Sequence, residues 1–134
     1  MKTVLVVDED TSILNAFEHF LQREGFEMIG SSSYAEAEKK LMASHIDLII
    51  MDVSPLRNSR FEFLMKTKQL FPAIPIIGLS PYKEFQNDPT LLPKEIARFI
   101  PKPVDIQKLR DAIDLLMGSG KKEPENKVEK KVRE

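Results

Sequence analysis

The chain is 134 residues long, which is the size of one ordinary domain with a short extension. It contains no cysteine, so a disulfide framework and a thiolate metal site are both excluded. Its formal net charge is −1 and no apolar run reaches the length of a membrane span, so we expect neither direct nucleic-acid binding nor a membrane-spanning segment.

The first half of the chain alternates short apolar runs with stretches in which apolar residues recur at helical spacing. Gly25 stands where the C-cap of the first helix is expected, and Ser33 begins a Ser-x-x-Glu capping box for the second helix. The predicted elements are a strand over 4–7, a helix that includes 13–21, a weaker strand over 26–30 and a helix that runs through Leu41.

The second half continues the alternation but includes one irregular stretch. Pro89 and Pro93 each remove a backbone donor within residues 81–97, so the fourth helix is expected to be short or broken. The other predicted elements are a strand over 47–51, a helix from a capping box at Ser59 to about Phe71, a strand over 74–79, a short strand over 98–100, and a last helix with the apolar stripe Ile106, Leu109, Ile113 and Leu116.

The predicted strands are uniformly apolar, which is typical of strands that are covered on both faces. Together with the alternation of strands and helices, this predicts an α/β fold in which a parallel sheet lies between two layers of helices. Right-handed crossovers then bring the C-terminal end of every strand to one edge of the sheet.

Charged and polar side chains follow four of these strands directly. They are Asp8, Glu9 and Asp10 after the first strand, Asp52 after the third, Ser80 after the fourth and Lys102 after the fifth. Because ligands bind at this edge of open parallel sheets, we expect the side chains to share one cleft. Mg²⁺ prefers carboxylate oxygens and would relieve the repulsion among Asp8, Glu9 and Asp52. Lys102 supplies a second compensating charge, and Asp10 is interpreted as the N-cap of the first helix.

Four segments in this order resemble the signatures of one protein family. VLVVDED, DLIIMD, GLS and FIPKPV are similar to the motifs of the response-regulator receiver domain (CheY-like) of two-component signalling. The resemblance covers the body of the chain, so residues 1–117 are interpreted as a receiver domain and 118–134 as a charged flexible tail or linker. It implies a flavodoxin-like (βα)5 sandwich with a five-stranded parallel sheet in the order 2-1-3-4-5.

The resemblance also implies a role for each residue at the strand ends. Asp52 matches the phosphoacceptor, which takes a phosphoryl group from a sensor histidine kinase or a phosphotransfer protein. Ser80 and Lys102 match the groups that bind the phosphoryl oxygens, and Phe99 matches the aromatic residue that changes rotamer with Ser80. The Lys102-Pro103 peptide is usually cis in the family. The residues that match the Mg²⁺ ligands are Asp8, Glu9, Asp52 and Ser54, the last through its backbone carbonyl.

A receiver of this kind implies a cytoplasmic signalling module whose output is contact with a downstream protein effector. The chain is expected to be a phosphorylated switch, and not an enzyme with steady turnover. The sequence leaves homodimerisation open.

Two features depart from the family pattern and keep an alternative open. The loop after Asp52 has Pro55 one place early and Arg60 where the family has glycine, and Pro81 follows Ser80. These changes favour a degenerate receiver that binds partners without phosphate.

A third interpretation is a phosphatase of the haloacid-dehalogenase type, because the three acids after the first strand also resemble its nucleophile motif. That class needs a further acidic pair after the lysine, where only Asp105 is present, and a cap domain. It would also leave Asp52 without a role.

Overall fold

The computed structural model describes residues 1–54 and 58–118, and in these residues strands and helices alternate from end to end. Each predicted strand is present, with bounds that differ from the prediction by one or two residues. The strands are β1 (Thr3–Val7), β2 (Glu27–Ser31), β3 (Leu48–Asp52), β4 (Ile76–Ser80) and β5 (Arg98–Pro101). The helices are α1 (Thr11–Arg23), α2 (Tyr34–Ala43), α3 (Asn58–Leu70), α4 (Lys83–Asn87) and α5 (Ile106–Met117), with a 3₁₀ helix at Pro89–Leu91.

The five strands form one parallel sheet with the order β2-β1-β3-β4-β5. This order confirms the predicted flavodoxin-like fold. The order reverses at β1, which lies between β2 and β3, so the C-terminal ends of β1 and β3 are neighbours at the centre of one edge. A ligand site of such a sheet is expected at this reversal point.

Two hydrophobic cores cover the two faces of the sheet, which explains why the interiors of β1, β3 and β4 are apolar. Val4 and Val6 of β1 face the core formed with α1 and α5. Leu5 and Val7, which alternate with them, face the core formed with α2 and α3. All four side chains are fully buried, so neither face of β1 has a place for a polar residue before the strand ends.

Side-chain caps fix the beginnings of α1 and α2, as the sequence predicted. Asp10 is the N-cap of α1 and accepts a hydrogen bond from the Ser12 N–H at 3.0 Å. Ser33 is the N-cap of α2 and accepts from the Glu36 N–H at 3.1 Å. Gly25 follows α1 with a φ of 90°, a conformation that glycine adopts without strain.

Replacing Ser33 by alanine is expected to lower the free energy of unfolding by about 1 kcal/mol, because the Glu36 N–H loses its acceptor. The neighbouring Ser32 is exposed and precedes the cap, so the matched Ser32→Ala variant should stay within about 0.5 kcal/mol of the wild type. Urea unfolding of both variants measures the difference. Equal losses in the two variants would contradict the capping role.

Two details of the sequence interpretation are wrong. Helix α3 begins at Asn58, so Ser59 lies in its first turn and is not the N-cap that the second capping box predicted. Asn58 has a φ of 54°, a left-handed conformation that asparagine tolerates. On α5, Ile106 is exposed although it belongs to the predicted stripe, whereas Leu109 and Ile113 are buried.

The stretch that follows β4 is irregular, as predicted from its prolines. Helix α4 has only five residues and is followed by a single 3₁₀ turn. The predicted tail, apart from Gly118, and the altered position Pro55 lie outside the described residues, so these interpretations stay predictions.

Candidate functional site

Two buried carboxylates meet on one ammonium group at the edge of the sheet where β1 and β3 end. Asp8 is 2% exposed and Asp52 is 8% exposed. The Lys102 Nζ lies 2.9 Å from Asp8 Oδ2 and 3.2 Å from Asp52 Oδ2. The structure therefore brings together three of the predicted site residues, which come from the ends of β1, β3 and β5.

Hydrogen bonds fix the orientation of both carboxylates. Asp52 Oδ1 accepts from the N–H and the Oγ of Ser54, each at 3.0 Å. The Asp52 backbone carbonyl accepts from the Tyr34 hydroxyl at 2.7 Å. Asp8 Oδ1 accepts from the Asp10 N–H at 2.9 Å. Each aspartate thus keeps its Oδ2 for the lysine, and the predicted use of the Ser54 carbonyl as a ligand stays a prediction.

The position of Lys102 favours its charged form. Burial alone would lower the pKa of Lys102, but the hydrogen bond with Asp8 and the charge of Asp52 outweigh burial and raise the pKa above its usual value. The ammonium is thus fully charged at neutral pH. The Lys102-Pro103 peptide is cis, as the sequence resemblance implied.

Ser80 lies at the end of β4, next to the lysine. Its Oγ accepts from the Tyr82 N–H at 3.0 Å, and its carbonyl accepts from the Lys102 N–H at 2.9 Å. A hydroxyl that accepts a hydrogen bond keeps its own proton for donation, so Ser80 has the group that its predicted role requires. Phe99 is half-buried and packs against Phe85 of α4 with the ring centroids 5.7 Å apart. Its role in switching stays a prediction.

A second cation, which the sequence interpretation missed, reaches this cluster. The Arg60 Nη2 lies 3.7 Å from Glu9 Oε1 and 3.7 Å from Asp52 Oδ2. Its guanidinium carbon stands 5.6 Å from the centre of the Tyr34 ring, within the range of a cation–π interaction. The sequence noted Arg60 only as a replacement for glycine. Three acids facing one lysine were the signal that a further cation was needed.

Arg60 is mostly buried, with a side chain that is 13% exposed. Burial alone would lower its pKa, but the adjacent Tyr34 oxygen and the charges of Asp52 and Glu9 outweigh burial and raise it. Its Nε is buried and has no hydrogen-bond partner within residues 1–54 and 58–118. Within residues 1–54 and 58–118, the Arg60 side chain is held by the charges of Asp52 and Glu9 and by the ring and oxygen of Tyr34.

The chemistry of the site fits a hard divalent cation, although its present arrangement is not a formed metal site. The carboxylates of Asp8, Glu9 and Asp52 are the oxygen ligands that Mg²⁺ prefers. Across the described part of the chain, however, no three acidic or histidine side chains converge on one point that could hold a metal ion. Glu9 is turned outward, with a side chain that is 70% exposed, and its contact in the cluster is with Arg60.

Comparisons with known proteins identify the family of the chain. Residues 4–114 match the response regulator receiver domain family. The transcriptional regulator NtrC of Rhizobium meliloti (strain 1021) is 26% identical over 122 residues, which are 91% of this chain and 25% of NtrC. The chain thus spans about a quarter of the length of that relative.

Solved structures share the fold over most of their length. The response regulator TrrA of Thermotoga maritima, solved in complex with Mg²⁺-BeF, has a TM-score of 0.75 at 26% identity over 87% of this chain and 100% of TrrA. A CheY-like receiver domain protein of Methanospirillum hungatei JF-1 has a TM-score of 0.74 at 28% identity over 86% of this chain and 92% of its own.

None of the helices in residues 1–54 and 58–118 has the length and apolar character that crossing a membrane requires. The family match covers all of the sheet except Thr3, and it is to the receiver domain, the family that the sequence motifs resemble. The chain belongs to the response regulator receiver domain family, the signal-receiving module of two-component systems.

Proposed function

We propose that Asp52 accepts a phosphoryl group from a histidine kinase or a phosphotransfer protein in a Mg²⁺-dependent reaction. The observation that carries the proposal is the pairing of Asp52 Oδ2 with Lys102, while Ser54 holds Oδ1. A carboxylate fixed in this way is a poised nucleophile, and the ammonium beside it is a ready partner for phosphoryl oxygens.

The transfer proceeds by displacement at phosphorus. A carboxylate oxygen of Asp52 attacks, an O–P bond forms, and the P–N bond to the donor histidine breaks, so that the histidine leaves with the bonding electrons. Lys102 and the Ser80 hydroxyl bind the oxygens of the transferred group. Asp8, Glu9, Asp52 and the Ser54 carbonyl would hold Mg²⁺, which would supply further neutralisation of the negative charge.

The phosphorylated state is expected to differ from the free state at Lys102. The ammonium is now shared between Asp8 and Asp52, and a phosphoryl group on Asp52 competes for it. The resulting rearrangement is the proposed signal to a downstream protein effector in the cytoplasm. The chain acts as a stoichiometric acceptor, and not as an enzyme that turns over a phosphate ester.

An apolar depression beside the lysine suits the approach of the phosphodonor protein. It has a volume of about 400 Å³ and lies between α1 and the start of α5. Ile13, Phe17 and Pro103 are among the residues that line it, and Lys102 borders it. A partner that covers this surface would present its phosphohistidine at the edge of the site.

Beryllofluoride, a mimic of a bound phosphoryl group, tests the proposal without any kinase. Fluorine NMR of the wild type with Mg²⁺ should show a bound fluoroberyllate signal, and the Asp52→Asn variant should show none. The absence of a bound signal in the wild type would overturn the proposal. It would favour the second candidate, a phosphate-independent interaction module, which the approach of Arg60 to Asp52 supports.

A further inference from the structure

Arg60 lies between two of the carboxylates that would hold a metal ion. The same Nη2 atom is 3.7 Å from Glu9 on one side and 3.7 Å from Asp52 on the other. It comes from the first turn of α3, at the position where the family pattern has glycine and hence no side chain. The Arg60 guanidinium therefore supplies positive charge beside the carboxylates that a metal ion is expected to neutralise.

The two cations of the cluster are held with different strength. Lys102 makes contacts of 2.9 and 3.2 Å, which are charge-assisted hydrogen bonds. Both contacts of Arg60 are 3.7 Å long, which is too long for a hydrogen bond, and its Nε has no partner in residues 1–54 and 58–118. Displacing Arg60 therefore breaks no hydrogen bond to a carboxylate, whereas displacing Lys102 breaks two.

The charge balance explains how a second cation stabilises the metal-free cluster. The three acids carry a charge of about −3, and the two cations reduce it to about −1. Without Arg60 the balance would be about −2, in a place where two of the carboxylates are almost fully buried. Repulsion between like charges is strongest where water is excluded, so Arg60 stabilises the metal-free protein.

We propose that Arg60 is a built-in counter-ion that competes with Mg²⁺ for Glu9 and Asp52. Metal binding then requires the guanidinium to leave these two carboxylates, so the chain binds Mg²⁺ more weakly than it would without Arg60. Because Arg60 also stacks on Tyr34, its departure changes a contact between α3 and α2. This inference rests on the proposed function. It assigns to Arg60 the role of setting how tightly the site binds Mg²⁺.

Arg60→Met tests the proposal, because methionine keeps an apolar stem against Tyr34 but removes the charge. The matched control is Arg110→Met. Arg110 likewise pairs with a glutamate, Glu24 at 3.1 Å, and stacks on a ring, Phe20 at 5.4 Å. Its glutamate follows the end of α1, at the edge of the sheet opposite the site.

Mg²⁺ titration by calorimetry, at constant ionic strength and without phosphodonor, measures the affinity directly. We expect the dissociation constant of Arg60→Met to be at least about ten-fold lower than that of the wild type, with Arg110→Met unchanged within about two-fold. Arg60→Lys keeps the positive charge on a shorter side chain with a compact ammonium group, so its dissociation constant should lie between those of the wild type and Arg60→Met. Thermal unfolding gives a second readout. Arg60→Met should have the lower Tm without metal and the larger rise in Tm per increment of Mg²⁺.

Two results would overturn the inference while leaving the proposed function intact. One is an Arg60→Met protein that binds Mg²⁺ no more tightly than the wild type but still binds beryllofluoride. The other is an equal gain in Arg110→Met, which would mean a general effect of net charge. If neither the wild type nor Arg60→Met binds Mg²⁺, and neither binds beryllofluoride, then the proposed function fails as well.

Discussion

Replacing Lys102 by methionine is expected to destabilise the metal-free protein by about 2–4 kcal/mol at neutral pH. The ammonium pairs with Asp8 and Asp52, and both carboxylates would lose it while remaining buried. A fully buried pair broken in this way costs about 3–5 kcal/mol, and the 17% exposure of the Lys102 side chain reduces the expected loss. Urea unfolding in the presence of EDTA measures it.

The pH dependence of this loss identifies its cause. The pKa of Lys102 is raised in the folded protein, so its contribution to stability is complete below its unfolded value of about 10.5. The contribution is lost as the pH rises through the folded pKa. The stability difference between wild type and Lys102→Met should therefore be constant near neutral pH and shrink at alkaline pH. A difference that is the same at all pH values would indicate lost packing and not lost charge.

Leu109→Ala is expected to lower the free energy of unfolding by about 2–5 kcal/mol. Leu109 is fully buried where α5 meets the sheet, so the shorter side chain leaves a cavity. The matched control lies on the same helix. Leu115 is 62% exposed, so Leu115→Ala should stay within about 0.5 kcal/mol of the wild type. Urea unfolding separates the two variants. Similar losses would contradict the packing of α5 described above.

The strands were predictable because their residues carry a strong, simple signal. Val4, Leu5 and Ile50 are apolar whichever face of the sheet they point to. A short, continuous apolar run is typical of a strand that is covered on both faces, so the strands could be predicted from this pattern alone. Parallel strand order then places Asp8 and Asp52 at one edge of the sheet. The convergence of the two carboxylates on Lys102 follows from topology and not from any local propensity.

The position of Arg60 could not be predicted in the same way. Its helix begins at Asn58, one residue before the predicted cap at Ser59, so the local pattern did not fix how Arg60 is presented. Whether a long side chain at that position points to water or to Asp52 depends on how α3 packs against Tyr34 of α2. That packing is a tertiary property, so the sequence revealed the substitution of glycine but not its consequence.

Incubation of the full chain with acetyl phosphate and Mg²⁺, followed by intact mass measurement, tests the central claim most directly. That claim is that the cluster of Asp8, Asp52 and Lys102 serves to phosphorylate Asp52. The account predicts that the wild type gains one phosphoryl group and that Asp52→Ala gains none. A wild type that gains none, or an Asp52→Ala variant that gains as much as the wild type, would contradict it.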